Sequence, residues 1–389
     1  MLQVLETALL SPLARDITEA IGHVPIVRLN RLNSLCQQHE FYLKLESCNP
    51  GGSIKEKNAV YLVQHAERTG LLAPGGTIIE SSSGNFGIGL AMIGAARGYR
   101  VMIVVDAKTP PPIRRMLAAY GAELVDVPLS AADANGSMQV ARMEKAKELA
   151  QTIPGAWYPC QHRNPENPTA HEQFTAREIE QAFPVAPDVI VIGVSTAGQL
   201  GGISRYFKQR YPQTRIVGVD VAGSAIFGTP SHPYKMTGLG LSFVPPNFDP
   251  MVLDAAYSVS DRIAFSVCHA LARREGLLLG ASTGAIVAAA LAYGKQHPSP
   301  QRMVLLNPDR GDRAGRQGQR SQARQAGCLP ASHRQGPARS PRGSPAAEAR
   351  SPRPNAPAGR WYRNARRGAP CRTGAGCHAW SSDRQGRSR

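Results

Sequence analysis

Short apolar runs separated by stretches of helical length recur through the first 313 residues, and this alternation restricts the chain to parallel-rich sheets covered by helices, an α/β class. Residues 77–80 (TIIE) read as a buried strand, 86–97 (FGIGLAMIGAAR) as a helix rich in small residues, and 100–105 (RVMIVV) as the next strand, the order of a βαβ unit. Residues 112–120 follow as a helix whose prolines suit its first turn, and 123–127 as a strand. Strand, helix and strand recur at 188–194 (DVIVIGV), 203–210 and 215–221 (RIVGVDV). Residues 282–293 (STGAIVAAALAY) read as a buried helix with Ser282 as its N-cap, and 303–306 as a last strand. Two sheets are predicted.

Charge divides the chain differently. The 76 residues from Ala314 onward hold 16 Arg, no Lys, and only Glu348 and Asp383 as acids, so they carry 14 of the formal net charge of +17. The preceding residues balance 29 basic against 26 acidic side chains, so nucleic-acid binding by charge is not expected of that body. Val, Ile, Phe, Met and Lys all vanish after Arg313 while Arg, Pro, Gly, Ala and Ser dominate, a composition unable to bury enough apolar surface to order itself. One reading is an arginine-rich arm for a polyanion; the other, which the missing Lys and β-branched apolar residues favour, is a GC-rich gene read in a shifted frame. The seven cysteines form no CxxC and have no histidine spacing suited to zinc, so a reducing compartment and no metal are expected. The start, MLQVLETALLSPLARD, lacks a basic segment followed by an apolar core, and no run of 18 apolar residues occurs, so neither a secretory signal nor a membrane span is predicted and the cytoplasm is the expected location.

Four segments carry chemistry. In NPGGSIK (49–55) a flexible turn leads to Lys55 at a helix start, where desolvation and the positive helix end lower an amine's pKa and suit it to imine formation or base catalysis. ESSSGNFG (80–87) places hydroxyls and unpaired amides at a helix N-terminus, an anion site. GVSTAGQLGG (193–202), again between strand and helix, lets backbone approach a phosphate; it lacks both GK[ST] and GxGxxG, so a monophosphate fits better than a nucleotide. GASTG (280–284) offers a hydroxyl for a ring nitrogen. Each has a plainer reading alone: a solvated lysine, ordinary N-capping, or a glycine-rich turn.

In order and spacing, NPGGSIKEK, ESSSGNFG, GVSTAGQLGG and GASTG resemble the fold-type II pyridoxal phosphate family of cysteine synthase and cystathionine β-synthase, over residues 21–313. The resemblance implies a tryptophan synthase β-like, two-domain fold with the cofactor in the interdomain cleft, a smaller domain at residues 48–152, a larger one combining 1–47 and 153–313, and a homodimer. It implies pyridoxal 5'-phosphate on Lys55, which also takes the α-proton; Asn85 at the ring hydroxyl; Ser195, Thr196, Ala197, Gly198 and Gln199 around the phosphate; and Ser282 at the ring nitrogen. Ser82, Ser83 and Asn85, with Gln161 from QHRNPENP, would hold the substrate carboxylate, and Gly238-Leu239-Gly240 would flank the cofactor. A serine at the ring nitrogen does not stabilise a protonated ring as an aspartate does, which suits concerted α,β-elimination and then addition of a second nucleophile: β-replacement.

The sequence departs from plain cysteine synthase in having STAGQ where GTGGT is typical, Phe86 where Thr is usual, and PDRGDR in place of PSSGER. With VDVAGSAIFG (219–228), these variants resemble a siderophore-pathway subgroup that joins O-phospho-L-serine to L-glutamate, giving N-(2-amino-2-carboxyethyl)-L-glutamate for 2,3-diaminopropionate synthesis. The alternative is cysteine synthesis from O-acetylserine or O-phosphoserine and sulfide. A departing phosphate calls for a cation, and by resemblance Arg142 in VARMEKAKELA is the candidate; its other reading is a solvated helix face beside Glu144, Lys145, Lys147 and Glu148. The family continues after GDR with an aromatic residue and a terminal segment where this chain has Ala314-Gly315-Arg316, so weakened stability or a weakened dimer contact is expected.

Overall fold

The computed structural model describes residues 13–32, 36–133 and 136–313. Expectations for residues 314–389, whether arm or shifted frame, lie outside the described residues. In chain order the strands are β1 (Ile26–Arg28), β2 (Glu40–Leu45), β3 (Thr77–Ser81), β4 (Arg100–Asp106), β5 (Glu123–Val127), β6 (Ala156–Trp157), β7 (Val189–Gly193), β8 (Arg215–Val221), β9 (Ala255–Val259) and β10 (Arg302–Asn307). The helices are α1 (Lys55–Arg68), α2 (Asn85–Arg97), α3 (Pro111–Ala119), α4 (Gln139–Thr152), α5 (Glu166–His171), α6 (Arg177–Ala182), α7 (Gly198–Arg210), α8 (Asp261–Glu275) and α9 (Ala281–Gln296).

Among the described residues the strands form two sheets, one of six in the order β1-β2-β10-β7-β8-β9 and one of four in the order β5-β4-β3-β6. Every pairing is parallel except that of β1 with β2. TIIES in β3 and VIVIG in β7 are buried at every residue, the signature of parallel strands covered on both faces. Gly98, at φ 74°, ends α2 in the left-handed conformation, and Pro111 and Pro112 open α3, where their missing N–H groups cost nothing.

Two boundaries correct the sequence reading. Helix α9 begins at Ala281, with Gly280 as N-cap, so Ser282 lies inside the first turn and its side chain caps nothing. The backbone explains the shift: Gly280 N–H donates to the Asp309 carbonyl at 3.1 Å, and a methyl on Gly280 would run into the Asp309 carboxylate. Helix α7 begins at Gly198, not residue 203, because glycines 198 and 202 are placed by packing against α5 and not by helix propensity; a methyl on Gly202 would overlap the Pro168 carbonyl.

One buried ionic cluster joins the layers. Lys57 of α1 bonds Glu46 at 2.8 Å and Glu178 of α6 at 2.7 Å, and Lys44 of β2 reaches Glu178 at 2.6 Å. The cluster fixes the helix that starts at Lys55.

Candidate active site

The loop before Lys55 is held from both sides. The Glu56 carboxylate accepts Gly51 N–H at 2.6 Å and Ser53 N–H at 2.8 Å, closing the turn onto the first residues of α1. Ile54 N–H donates to the Pro308 carbonyl at 2.9 Å, and Ser53 pairs antiparallel with Asp309, so the strand end after β10 runs alongside. Lys55 is the first residue of α1, and burial pushes its amine from 10.5 down to about 8, against the opposing pull of Asp309. Asp309 in turn accepts from the Asn85 amide at 2.8 Å. Lys55, Asn85 and Asp309 therefore converge from α1, α2 and the segment after β10.

Between β7 and α7 the chain turns through Ser195-Thr196-Ala197, with Ala197 at φ 62°, a strained position for a residue with a β-carbon. Gly198 lies against Asn167, whose amide donates to Thr196 Oγ1 at 3.1 Å and to the Gln161 carbonyl at 2.7 Å. This amide joins two of the motifs read from sequence. The Gln199 amide donates to the Gly193 carbonyl, while its Oε1 is buried and without a partner. Ser282 Oγ is likewise buried and unpartnered, and a methyl on Gly238 would stand 3.7 Å from it, so the 238–240 loop faces that hydroxyl.

Ser82 Oγ accepts Gly87 N–H at 2.9 Å, so this hydroxyl caps α2 from outside the helix; Ser83 is half-buried. Gln161 follows Cys160, which has φ 50°, and its own N–H donates to Glu80 Oε2 at 3.2 Å. Burial pushes the Glu80 carboxyl up to about 8, although Gln161, Ser81 and Cys160 N–H groups favour its charged form. Arg142 is not on a solvated face: it is 8% exposed and ion-paired with Asp106, and burial lowers its pKa against that pairing. His162 is buried with Nδ1 unpartnered, and burial, together with the charges of Lys55, Arg142 and Arg163, pushes it down to about 4. Lys55 and Arg142 thus lie within electrostatic reach of one imidazole.

The structure brings Lys55 and Asn85 to one locus, and Ser195–Gln199 with Gln161 to another around Asn167. The charges of Lys55 and Arg142 both act on His162. Glu80, His162 and Asn167 lie within ESSSGNFG and QHRNPENP, but neither motif assigns them a role, and Asp106 has no local sequence signal; PDRGDR stands out as a departure, yet nothing near it says that Asp309 meets Asn85, 224 residues away.

Residues 17–309 match the family model described as pyridoxal-phosphate dependent enzyme. The chain belongs to this family. It is an enzyme with pyridoxal phosphate as its cofactor, and its fold is the fold-type II α/β architecture. Relatives of this pyridoxal-phosphate dependent enzyme include the N-(2-amino-2-carboxyethyl)-L-glutamate synthase of Ralstonia nicotianae, 38% identical over 77% of this chain and 88% of that one. A cysteine synthase of Flavobacterium sp. is 38% identical over 68% of this chain and 84% of its own. The crystal structure of O-ureido-L-serine synthase superposes with a TM-score of 0.72 at 36% identity, covering 78% of this chain and 93% of that one. The site suits the cofactor: an unpartnered hydroxyl at Ser282 matches a ring nitrogen, and the N-terminus of α7, which opens at Gly198 after the left-handed turn at Ala197, offers backbone N–H groups to a phosphate. Among the described residues no helix is long and apolar enough to cross a membrane.

Proposed function

We propose that this enzyme, a catalyst of β-replacement on serine derivatives, exchanges the phosphate of O-phospho-L-serine for the amine of L-glutamate, releasing phosphate and N-(2-amino-2-carboxyethyl)-L-glutamate, a building block for 2,3-diaminopropionate and siderophores. Pyridoxal phosphate, when bound, supplies the electron-withdrawing ring that acidifies the substrate's α-proton. Lys55 holds the cofactor and moves that proton at Nζ, a task for which an amine lowered to about 8 is suited. Ser195, Thr196, Ala197, Gly198 and Gln199 bind the cofactor phosphate, and Ser282 Oγ meets the ring nitrogen. Ser82, Ser83, Asn85 and Gln161 hold the substrate carboxylate, Asn85 sharing its amide between Asp309 and the cofactor's ring hydroxyl.

The observation that carries the choice of phosphoserine is Arg142, a buried guanidinium fixed by Asp106 and sharing the neighbourhood of His162 with Lys55. The Arg142 Nε–H is buried and without a partner, a charge-assisted donor left over from the Asp106 pair, and it suits a departing phosphate dianion better than an acetate. With this reading go a smaller domain at 48–152, a larger one from 1–47 and 153–313, and a cytoplasmic homodimer, which limited proteolysis, cell fractionation and size-exclusion chromatography test.

The direct experiment supplies purified enzyme with phosphoserine and either glutamate or sulfide and identifies the amino-acid product by mass. Product from glutamate is expected; product from sulfide alone would make the enzyme a cysteine synthase. Lys55→Ala is expected to lose the yellow colour of the lysine-bound cofactor and at least about a thousandfold in turnover, and a coloured, active variant would remove the basis of the assignment.

A further inference from the structure

A cavity of about 190 Å³ is lined by Lys108, Ser137, Gln139, His232, Tyr234 and Ser242 among others. It is smaller than the roughly 300 Å³ of a typical drug-sized site and suits one end of a small molecule. Lys108 is its only lining residue among Asp, Glu, Lys and Arg, and the rest of the wall is rich in hydroxyl and amide groups. Ser242, from the chain between β8 and β9, donates its N–H to Gln139 Oε1 at 3.3 Å and its hydroxyl to the same oxygen at 3.2 Å, so one wall of the cavity is the segment that continues from the 238–240 loop.

Three connections attach this cavity to the site. Asp106 accepts the Lys108 backbone N–H at 2.7 Å and also pairs with Arg142, so one carboxylate joins the chain at Lys108 to Arg142, while the Lys108 ammonium donates to the Gly136 carbonyl on the cavity wall. Gln139 and Arg142 lie three residues apart on α4 and share a face. The Tyr234 hydroxyl lies 2.9 Å from where a methyl on Gly240 would stand, in the loop that faces Ser282.

We propose that this cavity receives the distal carboxylate of the amino-acid nucleophile, with Lys108 as its charge partner and the neighbouring hydroxyls as its hydrogen-bond donors. The inference rests on the phosphoserine and glutamate reading and adds a reason for it. Sulfide needs no such receptor, whereas a glutamate amine directed at the β-carbon leaves a side-chain carboxylate to be held. The cation would also suit the phosphoryl group of the first substrate, and the kinetics separate the two.

The test uses wild-type holoenzyme, Lys108→Met and Lys108→Arg, with KM measured for glutamate, glutamine and phosphoserine. Lys108→Met is expected to raise KM for glutamate about tenfold, the size of one charge-assisted hydrogen bond in a partly solvated site. The KM for glutamine should change less than about threefold on the same reasoning, so the preference for the acid collapses, and Lys108→Arg should retain most of it. Equal effects on glutamate and glutamine, or a rise confined to phosphoserine, overturns the assignment. Wild-type enzyme that accepts sulfide but not glutamate instead overturns the underlying function, and the inference with it.

Discussion

Lys55, Glu80 and His162 are three ionisable groups at which burial works against charge, taking the lysine down to about 8, the glutamate up to about 8 and the histidine down to about 4. Each has a different consequence for pH. Below pH 4.5 Glu80 is protonated whether folded or unfolded and costs nothing. Between 4.5 and 8 the unfolded carboxyl ionises while the folded one keeps its proton, so at this group the folded state binds more protons and its contribution to stability falls as pH rises, whereas that of His162 rises from 4 to 6.5. Glu80→Gln is therefore expected to gain stability relative to wild type between pH 5 and pH 8, by up to a few kcal/mol, read from urea midpoints across that range. Parallel curves for the two proteins would refute the raised carboxyl. Lys55 contributes nothing to this window, since its penalty is constant below pH 8 and is relieved only from there to 10.5.

Helix α7 shows what governs an element beside a site. Gly201 and Gly202 look alike in sequence, and both are poor helix formers. A methyl on Gly201 would meet Pro168 at an ordinary 3.5 Å, whereas on Gly202 it would overlap the Pro168 carbonyl and come within 2.8 Å of Glu172 N. Gly201→Ala is expected to be neutral or to gain about 1 kcal/mol from helix propensity. Gly202→Ala should lose roughly 2–4 kcal/mol by forcing α5 from α7. Thermal denaturation of both variants checks the contrast, and similar losses would mean that the two helices are not in close backbone contact.

Across the whole molecule, the cluster of Lys44, Glu46, Lys57 and Glu178 ties β2, α1 and α6 with charges that are buried except at Glu178, which keeps a small exposed edge. Glu178→Gln leaves Lys44 and Lys57 sharing the one carboxylate of Glu46 and is expected to cost about 3–5 kcal/mol. Because Lys57 is two residues from Lys55, cofactor retention on dilution should fall as well; a variant as stable as wild type would show that the cluster is not needed. Deleting residues 314–389 removes 14 of the 17 net positive charges. Retention on heparin should drop while turnover stays within about twofold, since the motifs all precede that segment; loss of turnover would give the segment a part in catalysis.

Much of the architecture could be read from period and composition, because strand and helix are local choices: β5 and β8 have the predicted bounds, β3, β4 and α2 differ from prediction by one residue at one end, and α3 is shifted by one residue at both. The order of four motifs likewise placed the chain in its family, since an anion site at a helix start is a local arrangement of amides and small residues. Only tertiary structure decided which groups meet. Asn85 with Asp309, Asn167 with Thr196, and Arg142 with Asp106 are joined by the packing of two sheets and their helices, over separations no periodicity reports. The same packing moved Ser282 from cap to buried, unpartnered donor, since a helix start is set by the room and the partner available to the residue before it.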